Sequence, residues 1–285
     1  VSTLTGIHPL TSAEYHADPA EAPSLSSSIA HLLTSQSPAH AWTAHPRLNP
    51  DYAREDKGHY DVGTAAHALF LEGDENVVVV DADSWRTNAA KEAREEARAN
   101  GKVALLIDTL ASVQAMVNAI HRQLEAHGAS PPMFEDGKPE QTVIWEESGV
   151  MCRARLDWLR DDFTAIDDLK STSRSANPRS WSRTIFGMGY DVQAAFYARG
   201  VEKLTGVAPE FRLCVVETSP PYALSVIGLS PAAMTIGRKK VDVALELWRK
   251  CLAADEWPGY DTRIAYAELP PWEESQWLEQ EMAAA

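Results

Sequence analysis

Between Gln141 and Leu169 three strand-type segments follow one another with almost no chain between them, and no other feature limits the fold as strongly. Gln141 to Trp145, Val150 to Leu159 and Phe163 to Leu169 carry the β-branched and apolar residues of strands. Glu147-Ser148-Gly149 and Arg160-Asp161-Asp162 supply the turns. Links this short join antiparallel neighbours, because a parallel connection needs a crossover of about a dozen residues or more.

Helices are expected on both sides of this block. Ser24 to Ser28 can cap a helix through Ile29, Leu32 and Leu33 that stops near Ser37-Pro38. A second helix follows Gly63, with Ala66, Leu69 and Phe70 on its apolar face. Val77 to Val80 reads as a buried strand, and Ala89 to Asn100 as an exposed helix ending at Gly101. Leu106 to His127 repeats at helical period, with Leu110, Val113, Val117, Ile120 and Leu124 in one stripe. After the strands come a helix over Tyr190 to Leu204, strands at Phe211 to Glu217 and Tyr222 to Gly228, and a long helix from Pro231 to Leu252. The order implies a mixed α/β (α+β) fold in a single domain. Residues 1–60 form a helical extension, 61–255 the core and 256–285 an acidic tail. Trp158 and Trp248 are read as core.

The central strands also carry charge. If the hairpin over Arg160 to Phe163 sets Leu159 against Thr164, Ile166 lies opposite Asp157 and Asp168 sits one diagonal step away. Diagonal neighbours are about 7–8 Å apart, so both carboxylates reach one cation. Period-two alternation adds Lys170 to that face and turns Asp167 away. A one-residue slip would undo this. Two carboxylates and a lysine suit phosphodiester hydrolysis: oxygen ligands take Mg²⁺ or Mn²⁺, and lysine positions water and steadies the developing charge. The plain alternative is a hairpin with solvated charges, common for so short a pattern. His67, on a helix among small residues, is a candidate metal ligand or a structural histidine. Glu140 is a candidate second carboxylate or a surface acid. Gln193 and Tyr197, four residues apart, can hold a phosphate or orient the lysine.

The net charge of −15 argues against a generic nucleic-acid binder. The charge is uneven, however: Ser171 to Tyr190 contains Arg174, Arg179 and Arg183 and no acid. Phosphate contact is the reading preferred for these three over solubilising surface positions, and Arg155 joins them as a candidate contact. Lys91, Arg94 and Arg98 alternate with Glu92, Glu95 and Glu96, which ordinary helical pairing explains. Three widely spaced cysteines and a start without the regions of a secretory signal fit a reducing cytoplasm. No apolar run is long enough to span a bilayer.

Taken in order, Gly63-(x)3-His67, Glu140, Arg155-Leu-Asp157, Asp168-Leu-Lys170-Ser-Thr and Tyr190-Asp-Val-Gln193-Ala-Ala-Phe-Tyr197 resemble the RecE-type exonucleases (exodeoxyribonuclease VIII). These belong to the RecB-like and lambda-exonuclease-like branch of the PD-(D/E)xK nuclease superfamily. Ser12-Ala-Glu-Tyr-His, Leu25-Ser-Ser-Ser, Ser37-Pro-Ala-His and Trp85-Arg-Thr-Asn-Ala-Ala-Lys-Glu extend the resemblance, so it runs from Gly6 to Leu252. It implies a restriction-endonuclease-like core, with metal held by His67, Asp157 and Asp168. It makes Lys170 catalytic, Gln193 and Tyr197 supporting, and Glu140 an acid of the family pattern. Asp168 stands where many members carry Glu. The resemblance further implies ATP-independent 5′-to-3′ digestion of duplex DNA ends, leaving 3′ single-stranded tails. A ring-like homo-oligomer and a RecT-like single-strand annealing partner also follow from it. The rivals are an endonuclease or resolvase of the same superfamily, a catalytically inactive DNA-binding scaffold, and an enzyme acting on small phosphate esters.

Overall fold

A computed structural model describes residues 4–53 and 62–284. The boundary expected between residues 60 and 61 lies outside the described residues. In chain order the elements begin with β1 (Gly6–His8), α1 (Ser12–His16), α2 (Ser27–Ser35), α3 (Pro38–Thr43) and α4 (Val62–Glu72). Next come β2 (Val77–Val80), α5 (Asn88–Ala99), β3 (Val103–Leu106) and α6 (Ile107–Glu125). The central run is β4 (Gly137–Glu147), β5 (Val150–Arg160), β6 (Ala165–Thr172), α7 (Pro178–Gly187) and α8 (Tyr190–Thr205). The chain closes with β7 (Glu210–Glu217), β8 (Leu224–Gly228), α9 (Pro231–Ala254) and α10 (Pro271–Ala284).

Six strands form a mixed sheet in the order β1-β4-β5-β6-β7-β8. All neighbours are antiparallel except β6 and β7, whose parallel pairing is made possible by the crossover through α7 and α8. One face of the sheet packs under α2, α7, α8 and α9, around Trp145, Leu156, Ile166, Phe196 and Trp248. The other face packs under α4 and α6, where Ala66, Val113, Met116 and Ile120 meet Leu169, Cys214 and Val216. Close packing of α8 depends on Gly200, because a Cβ there would lie 2.6 Å from the buried Trp145 ring.

Several expectations need correction. The β5–β6 ladder pairs Leu159 with Ile166 and Trp158 with Asp167, two residues away from the expected register. The cause is a wider turn, in which Asp162 accepts from the backbone N–H and hydroxyl of Thr164 and Phe163 takes a positive φ of 60°. Val77 to Val80 forms a strand, but only Val80 is buried, since its sheet has just two strands, β2 and β3. The arginine-bearing stretch after β6 contains the helix α7, begun by the Asn177 cap and Pro178. Trp248 is fully buried, whereas Trp158 is half-buried. The acidic tail contains the exposed helix α10. No helix among the described residues is long and apolar enough to cross a membrane. All three cysteines are buried, and burial pushes each thiol pKa up.

The N-terminal segment is tied to the sheet by a buried charge cluster. Asp18 lies 3.1 Å from Arg153 on β5 and 3.3 Å from His45, and it accepts from the hydroxyl and N–H of Ser24. Burial works to raise the Asp18 pKa, but the His45, Arg153 and Ser24 contacts outweigh it and hold the carboxyl below its ordinary value. Asp18→Asn should therefore cost roughly 3 kcal/mol near neutral pH, the scale of breaking a buried pair. A lowered native pKa adds stability above the unfolded value and loses it as pH falls through the folded one. Urea unfolding at several pH values should show the gap between wild type and variant closing below about pH 4. A gap that widens there would contradict this account.

Candidate active site

The β5–β6 pairing stops at Trp158 and Asp167, and the two strands then part. Into the parting Asp157 sends its carboxylate, and Oδ2 accepts the Leu169 backbone N–H of β6 at 2.8 Å. The same region of β4 is irregular: Glu140 adopts a positive φ of 54° between Pro139 and Gln141, which pair with Trp158 and Leu156. Leu156 and Leu159 both belong to the core under α8 although they are three residues apart, so strict alternation is broken between them. This distortion aims Glu140 and Asp157 into one space.

His67 reaches that space from α4, whose small residues Gly63, Ala65, Ala66 and Ala68 bury its backbone close to the sheet. Its Nε2 lies 3.1 Å from Asp157 Oδ2. Donor atoms of His67, Glu140 and Asp157 all fall within 4.8 Å of one another. The Glu140 carboxylate is pinned by Arg155, whose Nε donates to it at 2.5 Å and whose Nη1 donates to the Leu10 carbonyl at 2.5 Å. Asp168 and Lys170 sit across the parting and face α8. Asp168 is fully buried, forms an ion pair with Lys170 through Oδ1, and accepts from Gln193 Nε2 at 2.8 Å through Oδ2. Lys170 Nζ also stands 5.3 Å from the centre of the Tyr190 ring, which stacks on Trp181 at 6.0 Å and 8°.

The electrostatics reflect negative charge crowded into a buried space. Burial, and then the charge of Asp157, push the Asp168 pKa well up, against the pull of Lys170. Burial also acts to raise Asp157, but His67 and Lys170 bring it below its ordinary value. Burial and Asp157 raise Glu140 against the pull of Arg155. Burial disfavours the Lys170 ammonium, yet Asp168 and Asp157 more than compensate and keep it charged. His67 follows the same pattern: burial lowers it, Asp157 raises it further, and the net shift is upward.

The expected metal ligands were His67, Asp157 and Asp168; the structure groups His67 and Asp157 with Glu140 instead, and Asp168 is held by Lys170 and Gln193. Gln193 meets a carboxylate where a phosphate or lysine contact was expected. Tyr197 is buried against Phe211, and burial raises its phenol well above the ordinary range. The aromatic partner of Lys170 is Tyr190, seven positions earlier; its place beside Gln193 in the helix-opening motif was the available signal. Arg155 lies inside the site with its guanidinium taken by Glu140 and Leu10. Arg174, Arg179 and Arg183 are exposed around α7. The irregular β4 at Glu140 has no signal in the sequence beyond Pro139.

One imidazole and several carboxylates form a donor set for a hard divalent cation, Mn²⁺ fitting the nitrogen better than Mg²⁺. Such a cation competes with any proton on His67 Nε2, the nitrogen that meets Asp157. Because the His67 pKa is raised, Mn²⁺ affinity, read by calorimetry, should fall as pH drops from about 8 to about 6. Asp157→Asn should lower that affinity at least about tenfold at the higher pH. Affinity independent of both pH and Asp157 would remove the cation from this site.

No curated protein matches the sequence. A crystal structure from Eubacterium rectale, of a protein provisionally described as an exonuclease, aligns over 94% of this chain and 98% of its own at 15% identity, with a TM-score of 0.60. That likeness shows the fold: a restriction-endonuclease-like mixed sheet flanked by helices, in agreement with the sequence-based expectation. A phage-related exonuclease from Haemophilus somnus 129PT aligns at 12% identity over 70% of this chain and 97% of its own, with a TM-score of 0.30. The family model for a PDDEXK-like domain of unknown function (DUF3799) matches residues 26–270. With most of its length matched, the chain belongs to that PDDEXK-like family.

Proposed function

We propose that the chain is a divalent-metal-dependent exodeoxyribonuclease of the RecE type, acting on duplex DNA ends. The observation that carries this reading is the Lys170–Asp168 ion pair on β6, set beside the His67, Glu140 and Asp157 donors. Membership in a PDDEXK-like family supports a nuclease. On this reading His67, Asp157 and Asp168, with Glu140 beside them, hold Mg²⁺ or Mn²⁺. The cation, when bound, supplies positive charge against the phosphodiester and acidifies water.

The protein groups do the positioning. Lys170 keeps its proton between Asp168 and the Tyr190 ring, so its ammonium orients the attacking water and offsets charge growing on the phosphate. Gln193 fixes the second oxygen of Asp168 and so limits rotation of that carboxylate. Arg155 does the same for Glu140. Digestion running 5′ to 3′ without ATP, 3′ single-stranded tails, a ring-like homo-oligomer, a RecT-like annealing partner and a cytoplasmic setting complete the proposal. They follow from the resemblance and not from the site's geometry.

The test is digestion of end-labelled linear duplex beside closed circular duplex, with Mg²⁺, Mn²⁺ or EDTA. Metal-dependent loss of the linear DNA alone is expected. Lys170→Ala should slow it by about a hundredfold or more, as when a group stabilising transition-state charge is removed. Equal attack on the circle would make the chain an endonuclease. A Lys170→Ala protein as active as wild type would overturn the site.

A further inference from the structure

The outer face of α7 is left unexplained by the site. Arg179, Arg183 and Phe186 recur at i, i+4 and i+7, so they share one stripe. Trp181 and Ile185 fill the opposite, buried face. Phe186 is 47% exposed and Met188, just beyond the helix, is 59% exposed. The two arginines and Arg174 are exposed and enter no ion pair among the described residues. The acids nearest in sequence, Asp168 and Asp191, are fully buried and already paired with Lys170 and Lys240, and Glu217, at the entry of α7, accepts the Ala176 N–H. In a chain of net charge −15, this stripe keeps unbalanced positive charge beside an exposed aromatic ring.

We infer that the outer face of α7 binds single-stranded DNA, with Phe186 stacking on one unpaired base and Arg179 and Arg183 contacting the flanking phosphates. This inference rests on the nuclease reading and adds to it the form of DNA held beside the site. Guanidinium groups recognise phosphate in any nucleic acid, but a ring stacks only on a base whose face is open. Inside a duplex both faces of every base are covered by neighbours. A ring between arginines therefore fits a strand that has left the duplex. The helix is also fixed relative to the chemistry: Trp181, on its inner face, stacks on Tyr190, whose ring lies against Lys170.

The experiment uses the full chain and fluorescently labelled oligothymidylate in EDTA, with binding read by anisotropy. Wild type should bind, and unlabelled closed circular duplex should compete poorly. Phe186→Ala and Phe186→Leu should each weaken binding about tenfold, the scale of losing one stacked base, while Phe186→Tyr stays near wild type. Arg179→Ala and Arg183→Ala should weaken binding and flatten its salt dependence. The inference fails if Phe186→Leu binds like wild type, because apolar bulk would then suffice. It fails equally if circular duplex competes as well as single strand, or if wild type ignores the oligonucleotide. Digestion of linear duplex by wild type, measured separately, tells the failures apart. Cleavage without a Phe186 effect on binding overturns the α7 assignment alone. Intact Phe186-dependent binding without cleavage overturns the nuclease reading alone.

Discussion

The hydrogen bond from the Leu169 N–H to the Asp157 carboxylate is the contact on which the site turns. Where β5 and β6 part, a backbone donor of the central strand would be left without a ladder partner, and burying such a donor unmet is costly. Asp157 satisfies it with a side chain. The same oxygen, Oδ2, also meets His67 Nε2 at 3.1 Å. The parting is also the gap through which groups from both layers meet. His67 arrives from α4, below one face, and Gln193 and Tyr190 from α8, above the other.

Buried acids elsewhere in the molecule are neutralised one at a time. Asp167 takes Arg212 at 2.6 Å and Asp191 takes Lys240 at 2.6 Å, while Asp18 takes Arg153 and His45. The candidate site departs from this habit. Glu140, Asp157 and Asp168 share Arg155, His67 and Lys170 in a small buried volume, and two of the three carboxyl pKa values are driven upward. Such crowding costs stability in the isolated protein, and a divalent cation bound there, as the proposed function requires, would relieve it.

Most of the sheet was legible because its strands are long, alternate well and are joined by recognisable turns. The helices α5, α6, α8 and α9 were legible from periodicity and caps. The three-residue β1 is too short to show a pattern, and β3, as long as the legible β2, lacks its unbroken run of valines. The register of β5 against β6 was not legible, because turn width is decided by Asp162 and Thr164 and not by the hydrophobic pattern. Being two residues off, the true register preserves the side each strand presents, which is why Asp168 and Lys170 still face together. What alternation could not foresee is the local break at Glu140 and Asp157. It arises from strand irregularity, and it brings the carboxylates together by opening the sheet instead of by a diagonal step. For Tyr190 the only signal was its place beside Gln193 in the motif that opens α8, which does not reveal that its ring covers Lys170.

The three cysteines have a practical consequence. Cys152 and Cys214 are fully out of solvent and Cys251 is 6% exposed, and burial raises each thiol pKa and so disfavours the reactive thiolate. The native chain is therefore a nearly silent background for thiol chemistry. A single cysteine placed on the exposed surface would take up a maleimide probe selectively, without any native cysteine having to be replaced. Distances within the folded molecule thus become measurable by fluorescence or spin labels in the otherwise natural sequence.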